Sequence, residues 1–83
     1  MEKISVEVLV PATGGKYDFL LPSSMNIGVA RTLIVQAVSE HEPGALQGRE
    51  SMRLGAIERR SFLDEQQTLE KAGIQDGTVL ILV

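Results

Sequence analysis

The chain has 83 residues, a formal net charge of −3 and no cysteine. This length predicts a single domain spanning residues 1–83. The absence of cysteine excludes disulfides, thiolate metal sites and cysteine nucleophiles, and an acidic chain with only eight lysine and arginine residues argues against nucleic-acid binding.

The hydropathy of the chain predicts its location. No apolar run approaches the roughly 18 residues that a membrane-spanning helix needs, so we expect no direct membrane insertion. Strand-like alternation begins already at Lys3, which predicts that no signal peptide precedes the domain. We therefore expect a cytoplasmic protein.

The first part of the chain predicts a β-hairpin. Every second residue from Ile4 to Val10 is β-branched and apolar, which is typical of a half-buried strand. Gly14 and Gly15 supply the backbone freedom that a turn needs, and Lys16–Leu21 is expected to return as the second strand. In that strand Tyr17, Phe19 and Leu21 are expected on one face, and Asp18 and Leu20 on the other.

A single long helix is predicted from Ile27 to His41, with Asn26 as its N-cap. Its apolar residues recur at the spacing of one helix face. The expected buried stripe consists of Ile27, Ala30, Ile34, Ala37 and Val38. We expect Val29 and Leu33 to widen this stripe.

The chain after the helix is predicted to form three more strands and a structured loop. Residues 52–57 and 61–63 are expected to form short strands, with Met52 and Leu54 facing inward. Leu69 should anchor one helical turn in the loop that follows. Residues 78–83 are the most apolar run of the chain and are expected to be a central strand, parallel to the first, because an apolar edge would favour aggregation. The predicted fold class is α+β, with a mixed sheet of four to five strands packed on one α-helix.

Several short motifs in the last third carry a resemblance to a known family. These are Leu63-Asp64, Thr68-Leu69, Gly73-Ile74 and the run that begins at Asp76-Gly77. With the predicted element order, they resemble the ubiquitin-like β-grasp fold. The pattern Leu69-x3-Gly73-Ile74-x-Asp76-Gly77-x2-Leu80 is similar to the YukD/EsaB proteins of type VII (WXG100) secretion systems. A related domain occurs at the cytosolic N-terminus of EccD membrane components.

The resemblance implies a non-catalytic protein-interaction module, an accessory or adaptor component of a bacterial secretion machine, with no cofactor and with protein partners. Two departures from ubiquitin qualify this. The chain lacks the C-terminal Gly-Gly of conjugated members, so we expect no conjugation. Gly55 occupies the position of the β3 isoleucine on which ubiquitin receptors depend. The alternatives are an excised cytosolic domain of an EccD-like component, and a modifier or carrier truncated before its tail.

The β-grasp register of the last strand predicts the binding surface. It directs Val79, Ile81 and Val83 toward the helix, so the intervening leucines would stand on the opposite, open face of the sheet. The predicted protein-binding residues on that face are Leu9, Leu20, Arg53, Gly55, Leu80 and Leu82. An adaptor partner and a second copy of the chain are alternative occupants.

The residues that often perform chemistry have simpler interpretations here. His41, at the end of the helix, is expected to interact with the helix dipole, because no serine or cysteine nucleophile can be placed beside it. Asp64-Glu65 lacks calcium-loop spacing and is interpreted as solvated surface. Arg59-Arg60 is interpreted as a solvated turn. We therefore predict no catalytic or metal-binding residue.

Overall fold

A mixed sheet carries a helix on one of its faces in the computed structural model, which describes residues 2–47 and 51–83. The elements are β1 (Lys3–Val10), β2 (Gly15–Pro22), α1 (Ile27–His41), β3 (Leu54–Ala56), β4 (Ser61–Phe62) and β5 (Thr78–Leu82). The strand order is β2-β1-β5-β3-β4. The strand β5 is central and runs parallel to β1, while the other pairs are antiparallel. The predicted fold class and the predicted central position of β5, parallel to β1, are confirmed.

Local sequence signals define the hairpin and the helix. Gly14 has a φ of 72°, in the left-handed region where glycine avoids a steric penalty, and it closes the turn between β1 and β2. Asn26 caps α1, since its side-chain oxygen accepts a hydrogen bond from the Gly28 amide at 2.9 Å. The helix spans the predicted residues and is followed by Glu42 as its C-cap.

The core lies between α1 and one face of the sheet. Ile34 and Val38 of the helix are completely buried there, together with Val8 of β1. Val29 and Leu33 do not widen the buried stripe as predicted, because their side chains are 52% and 43% exposed. They lie on the solvent side of α1, which packs a narrower face on the sheet than the sequence indicated.

The loop before β5 is tied to the start of the helix by backbone hydrogen bonds. The Ile27 amide donates to the Gln67 carbonyl at 2.8 Å, and the Leu69 amide donates to the Met25 carbonyl at 2.9 Å. Leu69 is completely buried, which confirms its predicted anchoring role. Gly73 has a φ of 79°, and this left-handed conformation turns the chain out of the loop. This attachment covers one end of the core.

The predicted orientation of β5 is wrong. Leu80 and Leu82 are completely buried, whereas Val83 is 45% exposed, so neither leucine stands on the open face. The reason is the strand register. Leu80 lies beside Val8 of β1, and Leu82 lies beside Leu54 of β3, and side chains of directly paired residues share a face of the sheet. Both neighbours belong to the core, so both leucines do too.

The turn between β3 and β4 contains a strained residue. Arg60 has a φ of 52°, and among residues 2–47 and 51–83 it is the one non-glycine residue with a positive φ. Its amide donates to the Ile57 carbonyl at 3.2 Å, which holds the turn closed. A left-handed conformation costs a residue with a Cβ roughly 1–2 kcal/mol.

Replacing Leu82 with Asp tests the observed register. The charged side chain would enter the core unpaired, which costs several kcal/mol, so we expect the protein to be unfolded or nearly so. Leu20→Asp is the matched control, because Leu20 is 64% exposed and its replacement should change the free energy of unfolding by less than about 0.5 kcal/mol. Urea titration followed by circular dichroism measures both. A folded Leu82→Asp protein would contradict the register.

Replacing Arg60 with Gly tests the strain in the turn. The left-handed cost disappears, while the added flexibility of glycine offsets about 0.5–1 kcal/mol, so a net stabilisation of roughly 0.5–1 kcal/mol is expected. Thermal unfolding should then shift upward by a few degrees. Arg60→Ala is the control, since it removes the guanidinium and retains the strain. If Arg60→Gly melts below Arg60→Ala, the turn is not strained at this position.

Candidate functional site

The open face is the surface of the sheet opposite α1, and an apolar row crosses it. Leu9 of β1 pairs with Ile81 of β5, and Ile81 pairs with Gly55 of β3. Gly55 in turn pairs with Phe62 of β4. These four residues are the apolar row, and they run across four neighbouring strands because directly paired residues share a face. The Phe62 side chain is 51% exposed, so the row reaches solvent at its β4 end.

A shallow depression lies in this row beside Gly55. Its volume is about 170 Å³, and its lining residues are Gly55, Ala56, Arg60, Ser61, Phe62, Ile81 and Val83. A Cβ atom added at Gly55 would lie 3.2 Å from the Ser61 carbonyl oxygen, 3.4 Å from Ile81 Cγ2 and 3.6 Å from Phe62 Cδ1. The missing side chain of Gly55 therefore leaves space at the depression.

Basic side chains border the depression. The Arg53 guanidinium lies over the Phe62 ring, with 4.6 Å between its central carbon and the ring centroid. Such a contact contributes about 0.5–1 kcal/mol at an exposed site and holds the guanidinium over the ring. Arg60 supplies part of the lining itself. At the other end of the apolar row, Lys16 forms a salt bridge with Glu7, with 3.3 Å between Nζ and Oε1, so the charge of Lys16 is balanced there.

The structure places the six predicted binding residues in two environments. Leu9, Gly55 and Arg53 lie on the open face and close to the depression. Leu20 is also on this face, opposite Ser5, but the directly paired Glu7 and Asp18 separate it from the apolar row. Leu80 and Leu82 are in the core. The structure therefore does not form the predicted cluster of leucines.

Six of the seven lining residues of the depression were not predicted from the sequence. Ile81 and Val83 were assigned to the core, and Arg60 was interpreted as part of a solvated turn. Ala56, Ser61 and Phe62 were assigned to no face. For Phe62 a signal was present. Met52 and Leu54 face inward, so Gly55 must face outward, and a short turn to β4 brings a residue directly opposite it. For Ile81 and Val83 no such signal existed. The residues from Val79 to Val83 are all aliphatic, so their alternation does not show which set faces the core.

The titratable residues singled out in the sequence have local structural contacts. The His41 ring packs edge-on against Tyr17, with 5.8 Å between ring centroids. Asp64 accepts a hydrogen bond from the Gln66 amide at 2.9 Å, within its own turn. Within residues 2–47 and 51–83, no three histidine or acidic side chains come together to hold a metal ion. In the same ranges, no helix has both the length and the apolar character to cross a bilayer.

Solved structures show the same fold. The ubiquitin-like domain of EccD5 from Mycobacterium xenopi is similar at a TM-score of 0.82 and 17% identity, over 100% of this chain and 94% of that one. Ubiquitin from Caldiarchaeum subterraneum is similar at 0.72 and 20%, over 98% and 91%. A chain of the MycP5-free ESX-5 inner membrane complex is similar at 0.81 and 19%, over 100% of this chain and 21% of that one. The predicted ubiquitin-like β-grasp fold is thereby confirmed.

The family follows from the sequence itself. No curated protein matches the chain. A family model described as "WXG100 protein secretion system (Wss), protein YukD" matches residues 4–82. This range contains α1 and all five strands, except for Lys3 at the start of β1. The predicted resemblance is confirmed, and the chain belongs to the YukD family of WXG100 secretion-system proteins.

Proposed function

We propose that this protein is a non-catalytic interaction module of a WXG100 secretion system, and that it works in the cytoplasm as an accessory or adaptor component. Membership of the YukD family supports the association with secretion. The similar domain in a chain of the ESX-5 inner membrane complex supports a role within an assembled machine. The proposal assigns the chain protein partners, and no cofactor, nucleic acid or catalytic step.

The exposed apolar side chains that border the depression are the observation that carries this proposal. Phe62 is 51% exposed and Val83 is 45% exposed, and both border the depression beside Gly55. Single exposed apolar residues are ordinary, but neighbouring exposed apolar side chains beside a depression are typical of a protein contact site. The adaptor is therefore expected to bind through the β3–β4–β5 part of the open face.

A second candidate is the same domain within a longer membrane component. The similarity to the ESX-5 chain favours it, because the match covers this chain completely and only 21% of that one. The reading frame of the natural gene distinguishes the two. In either case the open face is the surface expected to contact the machine.

Complementation of a deletion strain tests the adaptor function. A strain without the gene should stop exporting its WXG100 protein, and the wild-type gene should restore export. Phe62→Ser should restore little or none, because it removes the apolar wall of the depression. Leu33→Ser is the matched control, since Leu33 is a comparably exposed apolar residue on the solvent side of α1. Immunoblotting of culture supernatants measures export. Normal export in the deletion strain, or from Phe62→Ser, would contradict the proposal.

Two measurements on the protein recovered from these cells separate the adaptor from its competitors. A carrier would acquire an adenylate, thiocarboxylate or isopeptide adduct at its C-terminus, so the adaptor hypothesis requires an unmodified intact mass. Self-association through the open face would appear as a dimer in light scattering that Phe62→Ser converts to monomer. The adaptor hypothesis requires instead that the wild type and Phe62→Ser have the same oligomeric state.

A further inference from the structure

We infer that the depression beside Gly55 receives one aliphatic side chain, of leucine or methionine size, from an acidic segment of a protein partner. This inference rests on the proposed function, because it names the chemistry of the partner that the open face binds. It concerns the depression and its two arginines, and it does not involve Leu20 or the rest of the sheet.

The shape of the depression limits the size of its occupant. Its floor is the backbone at Gly55, and Phe62, Ile81 and Val83 form apolar walls. An apolar cavity of about 150 Å³ holds a molecule as large as benzene, so a volume of about 170 Å³ suits a single leucine or methionine side chain. The surface is thus concave at the position where a partner must supply the protruding group.

The charges around the depression indicate the polarity of the segment. Arg60 contributes to the lining, and Arg53 lies over the Phe62 ring. Within residues 2–47 and 51–83, no acidic side chain lines the depression. The chain as a whole carries a net charge of −3, so this basic rim contrasts with the rest of the protein. Carboxylates on either side of the inserted side chain would pair with the two guanidinium groups.

The strained turn provides an independent argument. Arg60 has a φ of 52°, where glycine would be more stable. Strain of this kind is typically retained where it positions a functional group. The turn brings Arg60 to the depression, so an arginine at this position would give binding at the expense of stability.

The same charges disfavour a second copy of the chain as the occupant. A two-fold face-to-face dimer would bring Arg53 and Arg60 of both copies to one rim. Like charges at close range oppose that arrangement, whereas an acidic segment is attracted by it. We therefore assign the depression to a different, acidic partner.

An NMR titration of the full chain with short peptides tests the inference. The probe is acetyl-GDELEDG-amide, and its two controls replace the leucine with serine or all four carboxylates with their amides. We expect the probe to shift the amide signals of Gly55, Phe62, Ile81 and Val83. The serine peptide should cause no such shifts. The affinity of the amide peptide should fall about two- to fivefold for each carboxylate–guanidinium pair that it can no longer form. Equal shifts with all three peptides would overturn the inference.

Variants of the protein test whether the acidic peptide binds through Arg60 or is attracted equally by any positive charge on the open face. Arg60→Gly should weaken binding of the probe about two- to fivefold while its melting temperature does not fall. Lys16→Gln is the matched control, because it removes one positive charge from the same face away from the depression, and it should bind the probe as the wild type does. An equal loss in the two variants, or no loss in Arg60→Gly, would overturn the role of Arg60.

The outcome is independent of the secretion experiment. If the probe does not bind and Phe62→Ser still abolishes export, the partner chemistry is wrong and the adaptor function stands. If the probe binds the depression and Phe62→Ser exports normally, the depression accepts acidic segments as inferred and the function assigned to it in secretion is wrong.

Discussion

The parallel pairing of β1 with β5 is the constraint on which the rest of this domain depends. β1 is joined to the hairpin partner β2, and β5 is joined to β3 and through it to β4, so this one ladder connects the two halves of the sheet. Its register places Val8 beside Leu80 and Leu9 beside Ile81. Because side chains alternate along a strand, that register decides which residues of both halves contribute to the core.

The same register creates the candidate site. By directing Leu80 and Leu82 toward α1, it leaves Ile81 and Val83 on the open face, where Ile81 lies beside Gly55. An aliphatic strand thus supplies the core with one set of side chains and the outer surface with the other. The depression exists because the residue between β4 and β5 on that surface is a glycine, so that Phe62 and Ile81 have no side chain between them.

Stability and recognition are in opposition at the β3–β4 turn. The left-handed conformation of Arg60 stores strain that a glycine would relieve, but glycine has no group to place at the depression. Arg53 meets no such conflict, since its guanidinium packs on the Phe62 ring and its backbone φ is not positive. Two arginines therefore reach one small surface by different physical routes.

The sequence alone determined the elements, because each has a local cause: alternation in β1, glycine in the hairpin, an asparagine cap and a 3.6-residue period in α1. It also determined the central position of β5 and the outward-facing Gly55. The face of β5 could not be determined in this way, since Val79, Ile81 and Val83 are as apolar as the leucines between them. Only the tertiary structure, through the pairing of β5 with Val8 on one side and Leu54 on the other, decided which set is buried.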